Sequence, residues 1–229
     1  MRTPARSFVA LCGLCTLLAS CITIRENYSF KRDGSGAMEF VVDASEMGKM
    51  LKEMGMDPGD AEKSGNGDGM KLTDKVDALK ALPGISKVKQ KEKDFVESVI
   101  FNFESIEALN AALNVLMPDS ASPEHRFFSW EGSTLVRTGN SLTSEMSEGS
   151  GLFGASGGEG EDSEAKAMEL SKSMKYEINF VFMDDIHATE FAPGIERSST
   201  DKKQLTAKTD WSVLTADAHA LDMRIDLSK

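Results

Sequence analysis

The stretch that decides the fold runs Ile22-Thr23-Ile24-Arg25-Glu26-Asn27-Tyr28-Ser29-Phe30, then Asp33-Gly34-Ser35-Gly36, then Ala37–Val42. Apolar and polar side chains alternate from Ile22 to Phe30, the period of a strand with one face buried. The Asp/Gly/Ser segment reads as a turn, so Ala37–Val42 returns against the first strand as a hairpin. After Val42 the period changes. Asp43 stands where it can cap a helix, with Glu46 three residues on as its capping-box partner. Met47, Met50, Leu51 and Met54 then fall on one helical face.

This unit of hairpin then helix recurs downstream. Gly55–Gly69 reads as loop, and Thr73 caps a short helix carrying Val76, Leu79 and Leu82, stopped at Pro83-Gly84. Ile85–Lys93 and Phe95–Phe103 form a second strand pair. Ser105 caps a helix with Ile106, Leu109, Leu113 and Leu116 on one stripe, ended by Pro118. A third pair, Arg126–Trp130 and Thr134–Thr138, turns at Glu131-Gly132. Residues 140–164 are rich in Gly, Ser and Glu and bury too little apolar surface to offset their ordering entropy. They are expected to be a flexible insertion, closed by a short helix over about 162–174. Strands resume over Lys175–Phe182, Ala188–Phe191 and Leu205–Val213. A final edge-type strand spans Ala220–Leu227. The expected class is α+β: an antiparallel sheet built from successive hairpins, with short helices packed on one face and a flexible acidic Gly/Ser-rich insertion.

Upstream of the first strand the chain carries an address. Arg2 and Arg6 precede an uncharged apolar run, Phe8–Leu18, with small residues at Ala19 and Ser20. That is the plan of a secretory signal peptide, and the run is shorter than the ~20 residues a membrane span needs. Leu18-Ala19-Ser20-Cys21 resembles the lipobox of bacterial lipoproteins. The resemblance implies cleavage before Cys21, a diacylglyceryl group on its sulfur and often an acylated amine, palmitate being a typical chain. The expected division is a signal peptide over 1–20 and a single lipid-anchored domain over 21–229. No further run of 18 apolar residues follows. Ile22, rather than Asp, follows the cysteine, which in enterobacterial sorting favours the outer membrane, on its periplasmic face or at the cell surface.

Composition narrows the chemistry. The chain has 229 residues, 40% hydrophobic and 28% charged, with a formal net charge of −11. These values exclude collagen-like, fully disordered and multi-span membrane classes. All three cysteines lie at positions 12, 15 and 21, so no disulfide framework or cysteine-ligated zinc holds the remainder. Loss of residues 1–20 removes Arg2 and Arg6 and leaves 24 basic residues against 37 acidic ones, a net −13. Such a balance argues against nucleic acid, which needs a basic footprint. Acyl chains, at about 0.8 kcal/mol per buried methylene, hold such a chain on a membrane without a basic patch.

Several strings mimic catalytic motifs and fail on context. Gly149–Gly154 spells G-x-G-x-x-G without the strand and helix that a dinucleotide site requires. Gly154–Gly158 spells G-x-S-x-G without a nucleophile elbow's strand and helix. Asn66–Gly69 resembles part of a calcium loop, but the twelfth position would be Lys75, where a carboxylate belongs. Asp184-Asp185 lies near His187, yet an Asp pair is not catalytic without a second convergent group. No catalytic residue, metal site or cofactor is expected.

Two features remain as binding candidates. Met47, Met50 and Met54 make a soft apolar face, suited either to packing on the sheet or to a lipid or partner groove. Phe127, Phe128 and Trp130 share one strand, and alternation sets Phe128 and Trp130 on one side and Phe127 on the other. Either core packing or binding through Trp130 accounts for them.

The order of elements resembles the LppM-type lipoproteins of bacteria. The match lies in the charged strand Ile22–Phe30, the turn at 33–36, the returning strand and the helix from Asp43. It continues in Tyr176–Phe180, Thr209-Asp210-Trp211-Ser212-Val213 and Leu221–Leu227. Phe180 runs on into Val181-Phe182 where that family reads Pro-Gly. The resemblance implies a lipid-anchored α+β domain that binds a lipid or glycolipid. The functional expectation is a non-catalytic cell-envelope lipoprotein that meets the membrane through acyl chains on Cys21 and binds a lipid, glycolipid or envelope protein. The alternative is a structural or assembly accessory of an envelope complex.

Overall fold

The computed structural model describes residues 22–53, 72–119, 122–139 and 171–227. Within them the molecule is a mixed α+β fold of two sheets. Strand β1 (Thr23–Phe30) realises the alternation: Ile24, Glu26, Tyr28 and Phe30 are buried, and Arg25, Asn27 and Ser29 lie on the other face. It pairs antiparallel with β2 (Gly36–Asp43), Thr23 opposite Asp43 and Phe30 opposite Gly36. In the turn between them the Asp33 carboxylate accepts from the Ser35 amide at 3.0 Å, and Gly34 sits at φ +83°. Gly36 allows a close approach, since a Cβ there would stand 2.0 Å from the Ser29 carbonyl oxygen.

Helix α1 (Ser45–Glu53) follows, and the Asp43 carboxylate accepts from the Ser45 amide at 3.0 Å, while Glu46 pairs with Lys49. A 3-10 turn, Leu72–Lys75, leads into α2 (Val76–Ala81). Thr73 lies inside that turn, where its hydroxyl accepts from Gln90 Nε2 at 2.5 Å, so it does not cap the helix as expected. Strands β3 (Ile85–Lys93) and β4 (Val96–Phe103) pair through the two-residue turn Asp94-Phe95, both in the left-handed region. Phe95 is kept there by α1: its carbonyl accepts from the Ala44 amide at 2.9 Å, and its ring lies where a Gly48 side chain would be. Helix α3 (Ile106–Leu116) is capped by Ser105, whose hydroxyl accepts from the Ala108 amide at 3.3 Å.

The large sheet has the order β3-β4-β2-β1-β7-β10-β9, where β7 is Lys175–Phe182, β9 Glu196–Ser198 and β10 Gln204–Asp210. Successive hairpins account for most of it, but β7 lies parallel to β1, Thr23 opposite Lys175 and Phe30 opposite Phe182. The expected antiparallel, hairpin-built sheet is present, with this one parallel pairing added, because a pairing between strands so distant in sequence has no local signature.

A second sheet, in the order β5-β6-β11-β8, contains β5 (Phe128–Glu131), β6 (Thr134–Arg137), β8 (Ile186–Phe191) and β11 (Met223–Leu227). The third hairpin therefore opens a new sheet instead of extending the first. The last strand is not at an edge: β11 lies between β6 and β8, with Met223, Ile225 and Leu227 turned inward. The strand expected over Leu205–Val213 stops at Asp210. Its carboxylate accepts from the Ser212 and Val213 amides at 3.0 and 3.4 Å and starts helix α4 (Trp211–Ala216). A capping Asp outweighs the strand preference of the residues around it.

The two sheets meet face to face through rings. Phe128 of the small sheet lies 5.0 Å from Tyr28, 6.0 Å from Phe30 and 6.3 Å from Phe180 of the large one. The small sheet covers the Glu26–Phe30 half of β1, and α4 lies over the other half, where Trp211 stands 6.2 Å from Tyr176. Phe127 and Phe128 are both buried, so neither ring leaves the core. Residues 171–173 are helical, the described part of the helix expected over 162–174. The insertion at 140–164, the motif-like strings in 149–158 and 66–69, and Cys12, Cys15, Cys21 and Met54 lie outside the described residues, as does the side chain of Met50. No helix among the described residues is long and apolar enough to cross a membrane.

Candidate functional site

Two places hold converging polar side chains. One is buried between the sheets. Glu26 of β1 and Arg137 of β6 are both almost wholly enclosed, with Arg137 Nη2 donating to the two Glu26 carboxylate oxygens at 3.0 and 3.2 Å. Tyr28 and Tyr176 also donate their hydroxyls to that carboxylate. Arg137 Nη1 donates to the Leu221 carbonyl at 3.2 Å, and its guanidinium lies 5.7 Å from the Phe128 ring centre. Burial, reinforced by the Glu26 charge, raises both tyrosine hydroxyls well above their ordinary pKa. Burial opposes the charge on Arg137, but Glu26 and the tyrosines outweigh it, so the guanidinium is held above its usual range. Every carboxylate oxygen is occupied and the cluster has no opening to solvent. It ties the two sheets together.

The other place is a pocket at the open end of the two-layer fold. The β1–β2 turn, the β5–β6 turn, the connection from β7 to β8 and the end of β11 meet there around a cavity of about 180 Å³. Phe30, Phe182, Trp130 and Leu227 supply apolar walls, while Lys31, Arg32, Asp33 and Asp184 supply charge. Trp130 is half-buried and packs edge-on against Phe30 at 6.1 Å. Its indole Nε1 is enclosed and donates to no group in the protein, the nearest approach at the turn being the space beside Gly34. A buried donor without an acceptor costs about 1–3 kcal/mol, and the Trp211 indole and Arg137 Nε, both in the core, share that state. Arg32 Nε pairs with Asp184 at 2.8 Å on the rim, and Met183 beside it is 54% exposed.

Of the residues singled out in the sequence, Trp130 is placed in this pocket. Met47 is half-buried and packs against the main core, away from this pocket. Asp184 is committed to Arg32, and His187 lies in a separate, wider and more open depression of about 550 Å³ with Arg197 and Lys202. No group of three or more His, Cys, Asp or Glu converges as a metal site among the described residues.

No protein-family model matches the chain, and no curated protein sequence does. Among solved structures, it is similar to the NMR structure of the folded domain of Mycobacterium tuberculosis LppM, with a TM-score of 0.46, 10% identity and 92% of each chain covered.

The buried cluster was not singled out from the sequence, though a signal for it existed. Glu26 occupies the apolar row of its strand, between Ile24 and Tyr28, where an acid requires a buried partner. The same logic in β6 sets Arg137 beside Leu135 on the inward face. The pocket's other walls come from turns scattered along the chain, and no spacing announces them.

Proposed function

We propose that this protein is a cell-envelope lipoprotein, acylated on Cys21, whose folded part binds a ligand rather than transforming one. The observation that carries the reading is Leu18-Ala19-Ser20-Cys21 behind a basic start and a short apolar run. Ile22 after the cysteine favours the outer membrane. The binding role rests on the Trp130 pocket, with apolar walls, a charged rim and an unused buried donor. Its 180 Å³ is smaller than the roughly 300–1,000 Å³ of a site that swallows a whole small molecule. It therefore suits part of a larger amphiphile, a lipid or glycolipid, with an acceptor oxygen for the indole and the remainder outside.

Replacing Cys21 with Ala moves the protein out of the membrane fraction; retention after that change refutes the anchor. Lipid extracted from the purified Cys21→Ala protein and identified by mass spectrometry tests the ligand. The second reading, an assembly accessory of an envelope complex, draws on Val181 and Met183, large apolar side chains exposed near the pocket. A lipid-free protein that captures one envelope complex, and loses it when Met183 becomes Glu, favours that reading. Turnover abolished by changing Asp185 or His187 would show an enzyme instead.

A further inference from the structure

The pocket and the anchor lie at opposite ends of the same strand, and no spacer separates the anchor from the fold. Ile22 is already part of the core at 5% exposure, and its carbonyl accepts from the Lys175 amide at 2.9 Å. One peptide bond therefore joins the acylated residue to a packed position. Strand β1 starts at Thr23, and at about 3.3 Å per residue the seven steps to Phe30 span roughly 23 Å. Phe30 is a wall of the Trp130 pocket.

We infer that the acylated protein docks directly on the lipid surface by the Thr23 end of its large sheet, holding the Trp130 pocket at the far end, open to the aqueous side. This rests on the lipoprotein reading above. The sheet itself supports the upright pose. Strand β1 is central, with three strands on either side, so the anchor emerges from the middle of the sheet's end and not from a corner. Lying on the open face would press Arg25, Asn27, Glu39 and Glu177, a hydrogen-bonded and ion-paired polar layer, against the bilayer. The end itself is better suited. Lys175 lies opposite Thr23, and Asp43 links Thr23 to Val96, which pairs with Lys93. Lys93, Lys172 and Lys175 are exposed there, and Lys52 lies over the Phe95 ring at 5.3 Å. Lys93 stands 3.9 Å from Asp94 and Lys175 3.9 Å from Asp210, so in a strongly acidic chain that end presents paired charges and not a bare acidic face to anionic headgroups.

The ligand of the pocket then arrives from the aqueous phase or from an opposing layer, and not from the leaflet that holds the acyl chains. The mature chain has a single native cysteine, consumed by lipid, so an introduced thiol is a unique label. Acylated full-length protein carrying Lys93→Cys or Met183→Cys, labelled with a fluorophore, is reconstituted in phosphatidylethanolamine/phosphatidylglycerol vesicles containing a nitroxide-headgroup lipid. Quenching several-fold stronger at position 93 than at 183 is expected, and a flexible Gly/Ser spacer inserted between Cys21 and Ile22 should erase the difference. Equal quenching without the spacer, or stronger quenching at 183, overturns the pose. The mass of the N-terminal peptide separates the two claims: an unacylated peptide refutes the lipoprotein reading, whereas an acylated one with the wrong quenching pattern refutes the docking alone.

Discussion

Two arginine–carboxylate pairs in this molecule have nearly the same length and opposite meaning. Arg137 meets Glu26 at 3.0 Å with side chains 1% and 0% exposed, and Arg32 meets Asp184 at 2.8 Å with side chains 74% and 20% exposed. The first pair is closed off between two sheets, and two tyrosines donate to its carboxylate, while Arg137 Nε stays unpartnered. The second stands in water at the mouth of a pocket. Charges taken out of water are costly unless fully paired, so the inner pair is tied to the integrity of the fold. The outer pair is screened and weakly coupled, and its groups remain free to exchange partners with a ligand.

The largest effect expected from this contrast is at Arg137. Replacing it with Met leaves Glu26 buried without a counter-charge, which should cost about 3–5 kcal/mol in urea unfolding of the Cys21→Ala protein. Adding Glu26→Gln should recover part of that loss, because no lone charge then remains inside. If Arg137→Met unfolds with the parent midpoint, the cluster does not join the sheets. Tyr176→Phe comes next, at about 1.5–3 kcal/mol, the range for a hydrogen bond to a charged group. The same hydroxyls give a pH signature. Burial raises Tyr28 and Tyr176 above the ordinary 10.0, so on raising the pH the unfolded chain releases these protons first. Their contribution is therefore whole below about pH 10 and lost as pH climbs toward the folded-state values. The urea midpoint should fall above pH 10, and less steeply in Tyr176→Phe.

How much of this was legible beforehand depends on range. The β1–β2 hairpin, the Ser105 cap of α3 and the inward rows of β7 and β11 follow from local pattern, and the structure has them, whereas Asp43 ends β2 and bonds only the Ser45 amide, and Glu46 turns to Lys49 in place of a capping box. The parallel seating of β7 on β1 and the division into two sheets follow from packing between distant rings such as Tyr28, Phe128 and Phe180, which no window of sequence contains. Thr209–Val213 shows the local limit: its residues suit a strand, yet Asp210 turns them into a helix start by capping two amides. At the site, Trp130 was visible as a large ring on a strand face. Gly34, Asp184 and Leu227 become its neighbours only after four separate segments converge.

Smaller effects belong to the pocket. Arg32→Ala should change stability by about 0.2–1 kcal/mol, as exposed ion pairs do, and a larger loss would mean the rim is structural. Trp130→Phe is the sharpest test, because fold and binding predict different numbers. The ring contact with Phe30 survives in a phenylalanine, and the group removed is a buried N–H that satisfies nothing in the protein. Removing an orphan donor relieves its desolvation penalty, so the urea midpoint should stay level or rise slightly. On the proposed binding role, co-purifying amphiphile should fall, because the phenylalanine has no N–H to offer a ligand's acceptor. Unfolding curves and lipid mass spectrometry on one preparation read both quantities. A destabilised protein with undiminished lipid would place Trp130 with Arg137 as part of the frame, and the contrast between the two arginine sites would then no longer divide structure from binding.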